Sequence, residues 1–312
     1  MRVFQRSKRP RTKMSLAPEQ TGILESTQSI PLAEALDRWR QEAVAGGFET
    51  PHYHCRYFIW GRGQPLLFVH GISDQARCFV PLIAHLADSF RCIAYELPNG
   101  AGDYARLDSL RHSDQVTDLL ALLDHLQCGQ ACLYGASFGS TVVLAALHAQ
   151  PRRFLRAVVQ SGFAHRKLAP AEKALVSLAR YWPGPMRRLP FRNRLQRRAD
   201  AAAFAAAPPE VWEFQRANTS DRPVRAFAQR ARMIAQLDLR PHLPDITHPV
   251  LLITGDRDST IAQAGIEELM NGLPHADRLE FSNCGHYPHY THAAGVAEAL
   301  RRFLLPPCGL TG

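Results

Sequence analysis

The sequence predicts an α/β architecture: a mostly parallel sheet covered by helices on both faces, with one helical insertion. Three observations carry this. Apolar runs of strand length alternate with 10- to 15-residue stretches of helical periodicity. Several of those runs end in glycine-bearing turns, and the alternation is interrupted once, between residues 165 and 245.

The elements follow in chain order. Residues 1–30 are basic, then rich in Ser, Thr and Gln, and read as a flexible arm. Residues 31–45 have apolar positions at helical spacing. His52–Trp60 alternates as a strand does, and the turn Gly61-Arg62-Gly63-Gln64 leads into the buried-strand run Pro65–His70. Further strands are predicted at 90–96, 131–135, 154–160, 249–254 and 277–281, and helices at 109–127, 138–150, 261–272 and 293–303. The segment 165–245 is rich in Ala and Arg, is punctuated by proline, and reads as several short helices inserted between two strands. The expected organisation is therefore a core of residues 31–164 and 246–312 carrying a lid, or cap, at 165–245.

Composition narrows the function classes. With 46% hydrophobic and 21% charged residues the chain is an ordinary globular protein rather than a disordered or fibrous one. No apolar run reaches the roughly 18 to 20 residues needed to cross a bilayer, and the basic N-terminus lacks the apolar stretch of a secretory signal. A cytoplasmic address is expected. The seven cysteines are scattered without a C-x-x-C pair, which fits reduced, buried thiols. The net charge of +9 is unevenly placed: between His165 and Met233 fifteen Lys/Arg face five Asp/Glu, and the first thirteen residues add six basic groups. No helix-turn-helix, zinc-finger or RNA-binding motif accompanies this charge, so no nucleic-acid partner is expected.

Four motifs carry chemistry. Gly135-Ala136-Ser137-Phe138-Gly139 lies between an apolar strand and a helical run, the strand–turn–helix setting that a G-x-S-x-G nucleophile elbow requires. His70-Gly71-Ile72 ends a buried strand upstream of it. Pro249–Thr254 runs into Gly255-Asp256-Arg257-Asp258, which puts carboxylates just past a strand end. Phe281–Gly285 leads into His286 before a helix, giving the chain order Ser, Asp, His. His70 reads better as a histidine that holds its loop than as a base. His52 and His54 share a strand face but have no third partner nearby in sequence, and His286, His289 and His292 have the three-residue spacing of a ligand row, from which the place of His286 in the Ser, Asp, His order removes it. His289 and His292 are expected at the surface, and Tyr181, Trp182, Trp212 and Phe214 in a small core of the lid.

Together these motifs resemble the lid-bearing serine-hydrolase branch of the α/β-hydrolase superfamily, which includes esterases, lactonases, carbon–carbon bond hydrolases and cofactor-free haloperoxidases. The resemblance extends from about His52 to Leu305. It implies an α/β-hydrolase fold, a catalytic triad of Ser137, Asp258 and His286, and an oxyanion hole from the backbone N–H groups of Ile72 and Phe138. Asp258, fourth from Gly255 counting the glycine as the first, matches the family position, while the nearer Asp256 reads as a loop residue. The implied activity is hydrolysis of an ester, thioester or related acyl bond through an acyl-enzyme on Ser137, with no metal or organic cofactor. Transfer to another acceptor, perhydrolysis, and a catalytically silent binding protein on the same fold are the alternatives. A serine nucleophile argues against dehalogenase or epoxide-hydrolase chemistry, which needs a carboxylate. The expected partner is a small acyl substrate, with an anionic substrate or an anionic membrane surface as readings of the basic lid. One departure stands out. Where many relatives carry D-x-P-G-x-G-x-S, this chain has Glu96-Leu97-Pro98-Asn99-Gly100-Ala101-Gly102-Asp103, so substrate preference does not carry over.

Overall fold

The apolar runs lie side by side in one eight-stranded sheet. Its strands are β1 (Val44–Glu49), β2 (His54–Trp60), β3 (Gln64–Val69), β4 (Phe90–Tyr95), β5 (Ala131–Ala136), β6 (Phe154–Gln160), β7 (Val250–Gly255) and β8 (Ala276–Phe281), in the order β1-β2-β4-β3-β5-β6-β7-β8. The computed structural model describes residues 29–190, 203–205 and 207–305. β1 and β2 pair antiparallel at one edge, and every pairing from β4 to β8 is parallel. Every residue of β5 and β7 is buried, which explains why both read as unbroken apolar runs instead of alternating ones.

Helices cover both faces. One face carries α3 (His112–His125), α4 (Phe138–Ala149) and α8 (Gln263–Gly272), around Leu67, Val69, Leu119, Leu133, Val143 and Leu252. The other carries α1 (Leu32–Glu42), α2 (Val80–Leu86) and α10 (Ala293–Leu304), around Trp60, Leu66, Phe68, Phe79, Tyr134 and Ile253. α10 shows why the 293–303 pattern is a helix: Val296, Leu300, Phe303 and Leu304 recur at three- and four-residue spacing and all are buried.

Two elements go beyond the sequence expectation. α2 is buried at all seven positions and so lacks the two-sided pattern that marks a helix. β1 contains Gly46 and Gly47, poor strand formers, because side chains of β2 lie over them. A Cβ at Gly46 would sit 2.4 Å from the Tyr57 ring.

Between β6 and β7 the chain leaves the sheet and forms α5 (Pro170–Ala179), α6 (Pro209–Ser220) and α7 (Val224–Gln236). The insertion has a narrow neck: His165 bridges Asp238, and the Leu239 N–H donates to the Ala164 carbonyl at 3.0 Å. Phe214 of α6 and Met233 of α7 reach into the two core clusters. Trp212 packs beside Phe214, but Tyr181 is 73% exposed and Trp182 lies near the surface, contrary to the expected small core. Arg192, Arg194, Arg197 and Arg198 lie outside the described residues.

Candidate active site

Ser137 occupies the sharp turn between β5 and α4, with φ +52° and ψ −115°. A non-glycine residue holds such a conformation only when its surroundings enforce it. The enforcement is visible on both sides. The Ser137 N–H donates to the Gln160 carbonyl at the end of β6 (2.9 Å), and its own carbonyl accepts from the Ser140 N–H (2.9 Å). A Cβ at Gly139 would lie 2.0 Å from the Val69 carbonyl oxygen, so only glycine lets α4 pack against β3 here.

The loop after β3 passes beside this serine: a Cβ on Gly71 would be 3.7 Å from the Ser137 Cβ. His70 is fully buried and holds the loop, as its sequence context suggested. Its Nδ1–H donates to the Gly71 carbonyl (2.9 Å), and its Nε2 accepts from the Leu97 N–H (3.1 Å). This pattern specifies the neutral tautomer. Burial, reinforced by the charge of Arg230, drives its pKa well below the ordinary histidine range.

Asp258 and His286 meet across the ends of β7 and β8, with His286 Nδ1 2.9 Å from Asp258 Oδ2. The other carboxylate oxygen accepts from the backbone N–H groups of Thr260 (2.8 Å) and Ile261 (3.1 Å). Burial alone would raise the Asp258 pKa. The bond and charge of His286, with the two amides, outweigh it and hold the group below the usual carboxylate range. Asp256 does something else: its carboxylate accepts the Cys284 N–H at 3.0 Å and shapes the loop that carries His286. Cys284 is a buried packing residue whose thiol burial pushes up to about 12.

The end of β6 ties the parts together. While the Gln160 carbonyl holds the serine backbone, Ser161 Oγ donates to the His286 carbonyl at 3.2 Å. The Gln160 side chain contacts Tyr134 Oη and His289 Nδ1. His289 is therefore not a surface residue. It is 2% exposed, and burial lowers its pKa to about 3. Among the described residues, His289, Asp74 and Cys78 are the one group with ligand atoms close enough to hold a metal, within 4.8 Å of one another. Asp74 already accepts from Tyr290 Oη (2.9 Å) and the Gln75 N–H (3.3 Å), and burial beside Asp74 keeps the Cys78 thiol protonated. Such a group reads as polar core packing. His52 and His54 take separate partners, Asp118 and Glu49.

The departing loop after β4 has its own logic. The Asp103 carboxylate accepts the Asn99, Gly100 and Ala105 N–H groups at 2.7, 2.9 and 3.1 Å and so builds the turn from within. Glu96 reaches Arg222 of the insertion at 3.0 Å. A cleft of about 800 Å³ separates this loop from the insertion, lined by Arg106, Asp108, Arg187, Asp221 and Arg225 among others, and Ser137 is not part of its wall. Within it Arg187 pairs with Asp221, and Arg225 with Asp108 at 3.3 Å.

Comparison with known proteins identifies the family of the fold. Residues 66–299 match the model of the alpha/beta hydrolase family. The chain is 26% identical over 244 residues to 3-oxoadipate enol-lactonase 2 of Acinetobacter baylyi, covering 76% of this chain and 89% of that one. It is 27% identical over 263 residues to a pimeloyl-[acyl-carrier protein] methyl ester esterase of Xanthomonas oryzae pv. oryzae, covering 79% and 97%. Among solved structures, a thermophilic esterase from Thermogutta terrifontis superposes with a TM-score of 0.74 at 21% identity, over 84% of this chain and 98% of that one. The enol-lactonase from Burkholderia xenovorans gives 0.73 at 22% identity, over 83% and 99%. With the family model matching about three quarters of its length and the sheet order fixed as above, this chain belongs to the alpha/beta hydrolase family.

Proposed function

We propose that the chain is a carboxylic ester hydrolase working through an acyl-enzyme on Ser137. The observation that carries this is the His286–Asp258 contact at 2.9 Å, tied through β6 to a serine held in a left-handed turn. In this reading His286 takes the Ser137 proton as Oγ attacks the carbonyl carbon, and Asp258 keeps the proton of Nδ1 in place so that Nε2 is the free base. Charge that develops on the carbonyl oxygen is met by the N–H groups of Ile72 and Phe138. His286 then returns the proton to the departing alcohol and repeats the cycle on water, releasing the acid. The names of the lactonase and the methyl esterase favour a C–O acyl bond. The helical insertion acts as the lid over this site, and the substrate is a small ester or lactone.

A fluorophosphonate probe with peptide mapping tests the nucleophile. The wild-type chain should label on Ser137, and Ser137→Ala should lose both the label and, by about 10⁵-fold, turnover of p-nitrophenyl esters. Labelling elsewhere, or none in the wild type, would leave the fold as a binding protein. A panel of esters, lactones and acyl thioesters, read with and without alternative acceptors, separates hydrolysis from acyl transfer.

A further inference from the structure

Arg230, on α7 of the insertion, is only 3% exposed, and no carboxylate forms an ion pair with it among the described residues. Its guanidinium is spent on three backbone carbonyls: Ile72 at 2.7 Å, Pro98 at 2.9 Å and Leu97 at 3.3 Å. Its Nε is buried without a partner among the described residues. A buried cation bonded only to carbonyl oxygens, with the carboxylates of Glu96 and Asp103 favouring its charge without contact, is a costly way to join the insertion to these loops. An apolar side chain of similar volume would serve stability at least as well. The cost becomes intelligible from what the three carbonyls share.

Ile72 belongs to the loop beside Ser137, and Leu97 is the residue whose N–H binds His70 Nε2. From there a directed chain runs back to the site: Leu97 N–H to His70 Nε2, His70 Nδ1–H to the Gly71 carbonyl, and so to the Gly71–Ile72 peptide. Drawing hydrogen-bond density onto that carbonyl makes the N–H of the same peptide a stronger donor, by about 10–30% per bond in the chain. Arg230 grips both ends of this chain. Its positive charge also opposes a second proton on His70, which would break the bond from Leu97.

We propose that Arg230 is a positioning residue supplied by the insertion, fixing the Gly71–Ile72 peptide so that its N–H faces the charge formed on the substrate carbonyl. The proposal rests on the acyl-enzyme reading above.

The test uses the full chain with Arg230→Met, which keeps volume but donates nothing, and Arg230→Lys, which keeps charge and a single bonding point. Four quantities are measured: kcat and KM on a p-nitrophenyl ester, the inhibition constant of an aryl trifluoromethyl ketone, and the thermal midpoint. Loss of a whole oxyanion donor costs about 10²- to 10³-fold, so a displaced donor should cost about 10- to 100-fold in kcat with KM within about twofold. The ketone, which forms a hemiketal oxyanion on the serine, should weaken in parallel, and Arg230→Lys should fall between. If Arg230→Met does not fold, Arg230→Lys alone must show the matched loss in kcat and ketone affinity. A lower thermal midpoint with unchanged kcat and ketone affinity would make Arg230 a structural residue and overturn the proposal. A wild-type chain that forms no hemiketal by fluorine NMR would instead overturn the acyl-enzyme reading, and this proposal with it.

Discussion

His286 and Asp258 are held by groups at the ends of the sheet's own strands: the amides of Thr260 and Ile261 just past β7, and the Ser161 hydroxyl just past β6. The loop carrying Ile72 is held by His70 from within and, in addition, by a side chain 158 residues away, reaching in from the insertion. The first half of the site is thus a product of the sheet. On the proposal above, the second also draws on a separate, sequence-distant group of helices. Changes in the sheet half should act on proton transfer, and changes in the insertion on charge stabilisation.

The largest effect that would break this division lies in the sheet half. Asp258→Asn leaves the hydrogen bond but permits the wrong imidazole tautomer, and should lower kcat by about 10⁴-fold. Asp256→Asn, which perturbs only the loop bond to Cys284, should cost less than about tenfold. Steady-state kinetics on one ester decide it, and the reverse ranking would move the acid to Asp256.

A smaller effect sharpens the comparison through two buried groups, one behind each half. Asp74 follows the Gly71–Ile72 loop, its N–H bonded to the Gly71 carbonyl at 3.3 Å, and His289 follows His286. Burial raises Asp74 from 3.8 to about 7, so the folded chain holds that proton more tightly than the unfolded chain. Its contribution is present at low pH and is lost as pH climbs from about 4 through 7. Burial lowers His289 from 6.5 to about 3, so its contribution is present above 6.5 and is lost as pH falls towards 3. Between pH 7 and pH 5 the two amount to about 2 kcal/mol each, in opposite directions. Urea unfolding at both pH values should therefore show Asp74→Asn losing stability towards pH 5 and His289→Gln gaining it, relative to wild type. Parallel slopes in all three proteins would refute both assignments.

The smallest effect concerns the charge of the insertion. The fifteen basic residues between His165 and Met233 suggest a field that draws anions. Yet Arg180 and Arg225 meet Asp108, Arg187 meets Asp221, Arg222 meets Glu96, and Arg230 is buried. With so much of the charge compensated, added salt should lower kcat/KM for a carboxylate-bearing ester by only about two- to threefold, and leave a matched neutral ester flat. Equal slopes for the two esters would remove the steering.

How much of this was legible in the sequence follows the same division. The strand–turn motifs around Ser137, Asp258 and His286 were readable because each is local: an apolar run, a glycine where backbone approaches backbone, and a polar residue at the strand end. Even the choice between Asp256 and Asp258 had a local signal in its spacing from Gly255. Arg230 had none. Among so many arginines on a helical insertion it looks like one more solvated charge, and only docking of α7 reveals where it points. His289 was misjudged for a related reason, since three-residue spacing next to His286 suggested an exposed helix face, whereas the short helix it begins turns that side into the core beside Phe79 and Tyr290. β1 hid behind its glycines, whose purpose is visible only with Tyr57 across from them.

The neck at His165 and Asp238 makes the insertion an exchangeable cassette. Because its two ends are pinned to each other, and the register of β6 on β7 is set by Ala157 opposite Val250 through Gln160 opposite Ile253, the strand pairing does not depend on the length of chain between, although Phe214 and Met233 pack into the cores on the two faces of the sheet. Lengthening a closed loop twofold costs only about 0.6 kcal/mol. Descent could therefore replace the whole cassette without disturbing the strands. A newcomer would inherit the His286–Asp258 contact and would have to refill the places of Phe214 and Met233 in the cores and, on the proposal above, supply its own grip on the Ile72, Leu97 and Pro98 carbonyls.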